Sequence, residues 1–354
     1  MPKKIIFDCE RMKYGNTGLF QYCLQLGNRL SRYADQSEEE LLFYTPSGSG
    51  KLFGAGARHI AQTGLHKLRM PSLKDYALWH ATYQESHYLP FRDKRIPVVL
   101  TVHDLNYLYD DSKATWKKER FLRRLQKLVD RANAIICVSE HSRSDLGFYC
   151  DTRHKEVHTI YNGTNILQQP ALEKNSYKPK RPFIFSLGSI TRKKNFHTLL
   201  PLVDKDKDME LVIAGRKEDP SYCDHILDTA QRMGIQENIN LIGQVNEREK
   251  SWYYNNCYAF AFPSVAEGFG LPVAEAMSVG KPLFLSDKAA LPEIGGNVAF
   301  YFRDFSGSLM QETFAAGMRR YQQFDMQHEI IQKGKEYCWE QAAKEYWNIY
   351  RSLY

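Results

Sequence analysis

Short, almost wholly apolar runs alternate along the chain with longer stretches whose apolar residues recur every three or four positions. The first pattern is typical of strands buried on both faces of a parallel sheet, and the second is typical of amphipathic helices. Alternation of the two predicts doubly wound α/β domains. The strands predicted in this way are residues 4–8, 41–44, 76–80, 97–102, 134–138, 156–160, 183–187, 210–214, 239–242, 258–262, 282–285 and 299–302.

The alternation occurs twice, on either side of a polar, proline-containing stretch without periodicity at residues 165–182. The length of 354 residues also exceeds that of one ordinary domain. We therefore predict one Rossmann-like domain over residues 1–168, a second over residues 169–335, and a terminal helical segment, residues 336–354, that could pack back on the first domain. The two parallel sheets are expected to face each other across a cleft.

Composition narrows the class of protein. No apolar run approaches the length of about 20 residues that a membrane-spanning helix needs. The N-terminus has two lysines and only a very short apolar run, which predicts a first strand and not a signal peptide. The seven cysteines are scattered and form no CxxC pair. This pattern disfavours a disulfide framework or a zinc site and fits a reducing cytoplasm.

The net charge of +7 lies entirely in the first half of the chain, because residues 1–168 hold 25 Lys and Arg against 18 Asp and Glu. Much of the excess falls in residues 112–133, a basic stretch with a helical period. This helix either presents an ordinary solvated basic face or attracts anionic lipid or a phosphorylated acceptor. No recognised nucleic-acid-binding motif accompanies the charge, so nucleic acid is disfavoured as a partner. The apolar positions of this stretch are Trp116, Phe121, Leu122, Leu125, Leu128 and Val129.

Two glutamates flank a glycine-rich turn in residues 267–277, EGFGLPVAEAM, directly after an apolar strand. Pro272 suits the first turn of a helix, so the turn and the helix start offer backbone N–H groups to an anion. Ionised carboxylates only accept hydrogen bonds, so Glu267 and Glu275 need hydroxyl or amine donors. A nucleotide sugar, with a diphosphate and hydroxyl-bearing rings, meets both demands. The alternative is that Glu275 merely favours its helix dipole and Glu267 is a loop residue.

Lys193 and Lys194 follow another strand end in SLGSITRKKNFHTLL, residues 186–200, where a helix is predicted to begin near Asn195. Point charges at such a turn could meet a diphosphate. A solvated basic turn is the alternative interpretation of this motif taken alone.

Taken together, LGSITRKKNFHTLL, LVIAG, FPSVAEGFGLPVAEAMSVGKPLFLSD and LPEI resemble family 4 of the retaining glycosyltransferases, which have the GT-B fold. In the first half, YGNTGLFQYCLQL is similar to the family's N-terminal glycine loop and TVHDLNYL to its histidine segment. VSEHSRSDL and IYNGTN are similar to its lead-in to the linker. The resemblance runs nearly end to end. It implies transfer of a hexose from a nucleotide sugar with retention of the anomeric configuration.

The resemblance also implies a role for each matching residue of the second half. Glu267 would contact hexose hydroxyls, and Glu275 would hold the ribose hydroxyls. Lys194, with Lys193 beside it, would neutralise the leaving diphosphate. The donor would also contact the backbone of Gly268, Phe269, Gly270 and Leu271.

In the first half, the resemblance implies that Gly15 and Gly18 let the first loop close over the phosphates or the acceptor. His103 would lie at the top of its strand near the donor sugar and position it, without forming a covalent bond. Many members of the family carry an arginine directly after the glycine of the LG pair, where this chain has Ser189. Lys193 or Arg192 would then compensate for the missing cation.

The implied chemistry needs no metal, because fixed cations and a helix N-terminus can stabilise the charge that grows on the leaving diphosphate. DKDKD, residues 204–208, imitates a carboxylate metal motif but is predicted to be a solvated loop opposite the ligand edge. We therefore expect no cofactor and no metal site, only a nucleotide-sugar donor.

GDP-mannose is the favoured donor, because EGFGLP, VAEAM and RKKN are similar to the mannosyltransferase branch of the family. The expected acceptor is a glycan or a lipid-linked saccharide at the inner face of a bacterial membrane. Two other classes remain open. One is a GT-B-like nucleotide-sugar epimerase, which would turn over donor without acceptor; the other is a catalytically silent subunit that binds nucleotide sugar or a membrane partner.

Overall fold

The computed structural model describes residues 2–15, 17–54, 56–68, 70–110, 112–164, 176–204 and 208–354. The chain forms two compact units, one of Met1–Gly163 with Cys338–Tyr354 and the other of Thr164–Tyr337. The C-terminal residues therefore belong to the first unit. Residues 165–175 of the predicted linker and 205–207 of the predicted solvated loop lie outside the described residues.

Each unit contains one sheet of parallel strands. Every predicted strand has an observed counterpart with bounds shifted by a few residues at most. The strands of the described residues are β1 (Lys3–Asp8), β2 (Glu39–Thr45), β3 (Arg58–Ala61), β4 (Leu78–Ala81), β5 (Val98–Val102), β6 (Ala134–Cys137), β7 (Glu156–Thr159), β8 (Phe183–Leu187), β9 (Glu210–Ala214), β10 (Ile239–Gly243), β11 (Ala259–Phe262), β12 (Leu283–Ser286) and β13 (Phe300–Phe302).

Helices connect the strands, as the alternating pattern predicts. No helix of the described residues is long and apolar enough to cross a bilayer. The α-helices are α1 (Gly18–Tyr33), α2 (Thr115–Arg131), α3 (Glu140–Tyr149), α4 (Pro201–Asp204), α5 (Pro220–Arg232), α6 (Glu247–Asn256), α7 (Leu271–Ser278), α8 (Leu291–Gly295), α9 (Gly307–Gln323), α10 (Met326–Gly334) and α11 (Trp339–Ser352).

The first sheet has the order β3-β2-β1-β4-β5-β6-β7. β1 lies between β2 and β4, with Ile5 opposite Leu41 on one side and Leu78 on the other. β3, which was not predicted from the sequence, is an edge strand that pairs only with β2 in this order. Its sequence, RHIA, is mostly exposed and has no apolar run, because an edge strand need not be buried on both faces.

The second sheet has the order β10-β9-β8-β11-β12-β13. Its central strands β8 and β11 are neighbours, with Ile184 opposite Ala259. The chain leaves β8 towards one side of the sheet and leaves β11 towards the other. Such a reversal opens a crevice at the carboxyl ends of the two strands, where doubly wound sheets bind their ligands. The fold class expected from the sequence, two doubly wound α/β domains, is confirmed.

The last helix, α11, packs within the first unit. Tyr346, Trp347 and Tyr350 are almost fully buried there. The indole N–H of Trp347 donates to the carbonyl of Leu30 at the end of α1, at 2.9 Å. The Tyr350 hydroxyl lies 2.6 Å from Nδ1 of His80 in β4. The aromatic residues of the C-terminus thus complete the core of a unit that begins more than 300 positions earlier in the chain.

Candidate active site

The crevice between β8 and β11 holds two of the predicted site residues. Lys194 lies in the segment after β8, and Glu267 lies in the segment after β11. Their side chains meet, with Lys194 Nζ 2.5 Å from Glu267 Oε1. The two side chains are only 12% and 14% exposed, so solvent screens the pair weakly. At the carboxyl ends of these strands, Lys194 therefore offers a cation to a phosphate, and Glu267 offers carboxylate lone pairs to hydroxyl groups.

Backbone hydrogen bonds join the segments that carry this pair. The carbonyl of Lys193 accepts from the backbone N–H of Val265 at 2.9 Å and from the hydroxyl of Ser264 at 3.3 Å. The carbonyl of Glu267 accepts from the N–H of Ala290, which follows β12, at 3.3 Å. Three strand ends are thereby tied together, so Lys194 and Glu267 are placed by the backbone as well as by each other.

The helix predicted to begin near Asn195 is not an α-helix. The structure has two short 3₁₀ helices instead, Arg192–Lys194 and Phe196–Leu199, and α4 begins only at Pro201. Asn195 between them has φ 59°, in the left-handed region that asparagine tolerates better than most residues. This break ends the turn that carries Lys194.

Glycines let the strand ends approach closely beside Lys194. Gly215, after β9, has φ 145°, and a Cβ built there would lie 1.9 Å from the carbonyl oxygen of Gly188. A Cβ on Gly188 would lie 3.2 Å from Cε of Lys194. The lysine side chain therefore runs along backbone that only glycine leaves accessible.

The predicted turn before α7 has the expected glycine geometry. Gly270 precedes the helix with φ 94°, and a Cβ there would lie 2.9 Å from Cδ2 of Leu291. Glycine has no side chain that could cap the first turn, and Pro272 lies in that turn. Leu271, the first helical residue, is half-buried. No side-chain cap therefore competes with a ligand at the start of α7.

The residues between Glu267 and Gly270 are buried. Gly268 has little exposure, and the ring of Phe269 packs edge-on against Tyr337 with ring centres 5.4 Å apart. Phe269 therefore anchors the turn to the unit, and its backbone, not its ring, is the part suited to a ligand.

Glu275 belongs to a second cluster. Its Oε1 accepts from Lys250 Nζ at 2.7 Å, and its Oε2 accepts from the Tyr254 hydroxyl at 3.0 Å. Burial opposes the charge of Lys250, but the carboxylates of Glu275 and Glu247 outweigh it and raise the Lys250 pKa above its usual value. Lys250 and Tyr254 were not predicted from the sequence, because both lie on α6 and reach Glu275 only through tertiary packing. A carboxylate has about four lone pairs, so Glu275 can still accept from a ligand.

Arginines flank the position of Ser189. Arg192 lies 3.8 Å from Asp219, and Arg216 forms an ion pair with Glu218. The carbonyl of Arg216 accepts the N–H of Ile190 at 2.8 Å, which places Arg216 beside the turn after β8. Arg216 was not predicted as a site residue, although its position two residues after β9 was a usable signal.

In the first unit, His103 follows β5 and is held rigidly. Its backbone N–H donates to the Gln84 side chain at 3.0 Å, and its ring meets Tyr22 edge-on with centres 4.5 Å apart. Nε2 lies 2.9 Å from the carbonyl oxygen of Thr82, and since a carbonyl only accepts, Nε2 carries the hydrogen. Burial lowers the His103 pKa to about 4 against the opposing effect of this hydrogen bond. The ring is thus neutral at pH 7, with Nδ1 as a hydrogen-bond acceptor.

Gly15 and Gly18 lie between β1 and α1. Gly18 begins α1, whose N-cap residue Thr17 accepts the N–H of Phe20 at 3.2 Å. A Cβ on Gly15 would meet no atom of the described residues within 4 Å. Contacts within the described structure therefore do not require glycine at this position.

The crevice between β1 and β4 holds ionisable residues that were not predicted from the sequence. Burial, and then the charge of Glu10, raise the pKa of Asp8 to about 8. The carboxylate of Glu10 accepts from the N–H of His87 at 3.0 Å and from Lys13 Nζ at 3.1 Å. Asp8 ends β1 and Glu10 follows it, so the signal in the sequence was their position at the carboxyl end of the first strand, the edge where ligands bind.

Arg11 lies in the same crevice, between two aromatic rings. Its guanidinium carbon is 4.9 Å from the centre of the Tyr14 ring and 4.1 Å from that of Tyr83. Such cation–π contacts hold the plane of the guanidinium. Arg11 is therefore an oriented cation at the edge of the first sheet.

Metal-binding groups do not gather in the described parts of either unit. Within the ranges given above, no three His, Cys, Asp or Glu side chains converge as they would around a metal ion.

Both halves of the chain match glycosyltransferase families. Residues 27–166 match Glycosyltransferase Family 4, and residues 168–311 match Glycosyl transferases group 1. The chain belongs to glycosyltransferase family 4. The resemblance seen in the sequence motifs is thereby confirmed, and this family 4 member is an enzyme that transfers glycosyl groups.

Curated relatives cover the family 4 chain to different extents. O-antigen chain mannosyltransferase B of Escherichia coli is 25% identical over 405 aligned residues, which cover 99% of this chain and 100% of that protein. O-antigen chain mannosyltransferase RfbU of Salmonella typhimurium strain LT2 is 26% identical over 205 residues, which cover 57% of this chain and 55% of that protein.

Solved structures show the same fold over the whole chain. Sucrose-phosphate synthase from Thermosynechococcus elongatus has a TM-score of 0.75 at 17% identity and covers 100% of this chain and 99% of its own. Anabaena HepE, solved in complex with UDP, has a TM-score of 0.76 at 15% identity and covers 99% of this chain and 100% of its own.

Proposed function

We propose that this glycosyltransferase moves mannose from GDP-mannose to a glycan or lipid-linked saccharide in bacterial polysaccharide or lipopolysaccharide biosynthesis. The transfer retains the anomeric configuration and needs no metal. The observation that carries the proposal is the shielded Lys194–Glu267 pair at the crevice between β8 and β11. The names of the O-antigen mannosyltransferase relatives support mannose and the biosynthetic setting.

Departure of the diphosphate is the step for which the pair is suited. As the bond from the anomeric carbon to the diphosphate oxygen breaks, negative charge grows on the diphosphate. Lys194, backed by Lys193 and the start of α7, stabilises that charge. The acceptor hydroxyl forms the new glycosidic bond on the face from which the diphosphate leaves, and its proton passes to the leaving group.

Recognition of the donor falls to the carboxylates. Glu267 accepts hydrogen bonds from hexose hydroxyls, and Glu275, oriented by Lys250 and Tyr254, accepts from the ribose. Neutral His103 accepts from a sugar hydroxyl at Nδ1, which suits a positioning role. A proton-transfer role at pH 7 fits poorly, because its pKa is about 4.

Thermal stability in the presence of EDTA tests the donor. A ligand that binds only the folded protein raises its melting temperature. We therefore expect the melting temperature to rise with GDP and not with UDP, ADP or CDP at the same concentration. A rise with UDP alone would overturn the assignment of GDP-mannose. A rise that requires added Mg²⁺ would overturn metal independence.

Acceptor dependence separates the three classes of function. A transferase consumes GDP-mannose rapidly only when a saccharide acceptor is present. Conversion of the donor to an epimer without acceptor would establish the epimerase instead. Binding of nucleotide without turnover in any mixture would establish the silent subunit.

The site of action proposed with this function is the inner face of a bacterial membrane. The basic face of α2 supports it, because clustered Lys and Arg residues are attracted to anionic lipid.

A further inference from the structure

A cavity of about 390 Å³ lies beside the N-terminal half of α2 in the first unit. None of its lining residues belongs to the site proposed above. Its volume is at the lower end of the range for small-molecule sites and suits one sugar ring with a phosphate. The cavity is lined by Glu85, Tyr107, Trp116, Lys117, Arg120, Phe121 and Arg124.

The spacing of residues on α2 builds one wall of this cavity. Lys117, Arg120 and Arg124 recur at three and four positions and so lie on one face of the helix. Phe121, beside them, is buried and fixes the helix to the core. Arg124 donates to the carbonyl of Glu85 at 2.9 Å and thereby ties the segment after β4 to the helix. Two residues of this wall, Arg124 and Phe121, are therefore held in place by contacts within the first unit.

The cavity carries an excess of positive charge. Three cations line it against the single carboxylate of Glu85. Neither Lys117 nor Arg120 forms an ion pair with any residue in the described ranges, whereas Arg123 on the same helix lies 3.7 Å from Glu119. Two lining cations are therefore available to an anion, and Arg has the fork geometry that phosphate oxygens match.

Aromatic rings form the rest of the lining. Trp116 is 58% exposed, although large aromatic rings normally gain by burial. Lys117 Nζ lies 5.4 Å from the centre of the Trp116 ring. Tyr107 stacks on Phe121 with ring centres 5.1 Å apart. An exposed indole beside a cation offers a flat apolar face to the C–H face of a sugar.

We infer that this cavity binds a glycosyl phosphate group of the acceptor, an inference that rests on the proposed glycosyltransferase function. The phosphate lies against Lys117 and Arg120, and the sugar ring lies against Trp116. Glu85, which accepts from the Tyr83 hydroxyl at 2.9 Å, has further lone pairs for a sugar hydroxyl. A phosphate alone would gain nothing from this carboxylate, so the mixed lining favours a phosphorylated sugar.

Tryptophan fluorescence gives a local readout of this cavity. All five tryptophans lie in the described residues, and Trp116 is the one with an exposed side chain. We expect glucose 1-phosphate to change the fluorescence of the wild-type protein saturably. Trp116→Phe should abolish that change, which excludes a signal from Trp252 in the second unit.

Matched arginine variants test the anion contact. Arg120→Ala should weaken glucose 1-phosphate binding at least tenfold, while Arg123→Ala, on the same helix but outside the lining, should stay within twofold of wild type. Both arginines are exposed, so circular dichroism should show both variants folded. Equal affinities in wild type and Arg120→Ala would overturn the inference.

Simpler ligands and vesicles separate the remaining explanations. Free glucose or inorganic phosphate binding as tightly as glucose 1-phosphate would overturn the assignment of a phosphorylated sugar. A Trp116-dependent change with phosphatidylglycerol vesicles but not with glucose 1-phosphate would also overturn it, in favour of a membrane surface. Stabilisation by GDP without a Trp116 signal would remove this cavity site alone. A Trp116 signal with glucose 1-phosphate but no stabilisation by GDP would contradict the proposed donor site alone.

Discussion

Lys194 and Glu267 are each other's counter-charge in a weakly exposed place. Removing either partner leaves a charge that is only 12% or 14% exposed beside the strand ends. Such a change lowers activity because a contact with the ligand is lost. It also lowers the stability of the fold because the remaining charge is unpaired. A useful variant must therefore be judged on both activity and stability.

Lys194→Ala and Glu267→Gln test the two proposed roles. Loss of a fixed group that stabilises developing charge typically lowers kcat by about 10²–10³-fold, and we expect a loss of this order for Lys194→Ala. Glu267→Gln keeps the size of the side chain but weakens acceptance from hydroxyls, so its kcat/KM should also fall strongly. Initial rates with GDP-mannose and an accepted saccharide measure both.

Lys335→Ala is the control for Lys194→Ala, because Lys335 is an exposed lysine at the C-terminal end of α10. It should retain the wild-type rate. Wild-type rates in folded Lys194→Ala or Glu267→Gln would remove the proposed roles. Losses in the double variant close to those in the single variants would show that the two residues act as a unit.

Burial of neutral His103 makes stability depend on pH. The folded pKa of about 4 lies below the ordinary value of 6.5, so the unfolded chain binds the proton more readily. The stabilising contribution is present above pH 6.5 and is lost as the pH falls towards 4. Near pH 5, His103→Gln should reduce the slope of unfolding free energy against pH by about 1.2 kcal/mol per pH unit. Urea unfolding between pH 5 and 7.5 measures this slope.

His328, an exposed residue of α10, supplies the matching control. His328→Gln makes the same substitution at an exposed position and so controls for the change of side chain itself. A wild-type slope in His103→Gln would show that His103 is not the residue that takes up the proton.

Between strand and helix, glycines decide how closely the second sheet's strand ends can approach. Gly215 directly follows β9 and contacts the backbone of Gly188. The side chain of Lys194 lies beside Gly188. The cation of the proposed site is therefore placed by the geometry of two strand ends and not by its own turn alone.

Gly215→Ala should destabilise the second unit by about 2 kcal/mol or more. The new Cβ would meet a carbonyl oxygen at 1.9 Å, and φ of 145° is unfavourable for alanine. Denaturant unfolding measures the loss. Gly64→Ala is the control, since a Cβ there meets nothing within 4 Å, and it should stay within about 0.5 kcal/mol. Equal stabilities of the two variants would contradict the close approach.

Considered as a whole, the chain returns at its end to the unit in which it began. The helix α11 lies against α1 and β4 of the first unit, and its aromatic residues are as buried as those of the sheet core. The stability of the first unit therefore depends on residues that follow the entire second unit in sequence.

Trp347→Ala should destabilise the first unit by about 3–5 kcal/mol, because it empties a fully buried indole site and removes the hydrogen bond to Leu30. Trp116→Ala removes the same group from an exposed position and should cost far less. Thermal unfolding of both variants makes the comparison. Similar losses in the two would show that α11 does not complete the core.

The sequence alone is enough to predict the strands that are buried on both faces, since burial of that kind requires an almost wholly apolar run. It also determined the glycine and proline positions before α7, because left-handed φ values and a helix start restrict which residues fit. It therefore predicted the fold class, and Lys194 and Glu267 as candidates. The edge strand β3 was not predicted, because its exposed residues give no apolar run in the sequence.

Which of these residues meet depends on strand order and on the packing of helices. Lys194 joins Glu267 because β8 and β11 are neighbours in the sheet, and Lys250 joins Glu275 because α6 packs beside α7. The cavity beside α2 depends in the same way on Arg124 reaching the segment after β4. Local patterns report burial and backbone conformation within a few residues. Contacts across tens or hundreds of positions follow from strand order and packing, which no short segment encodes.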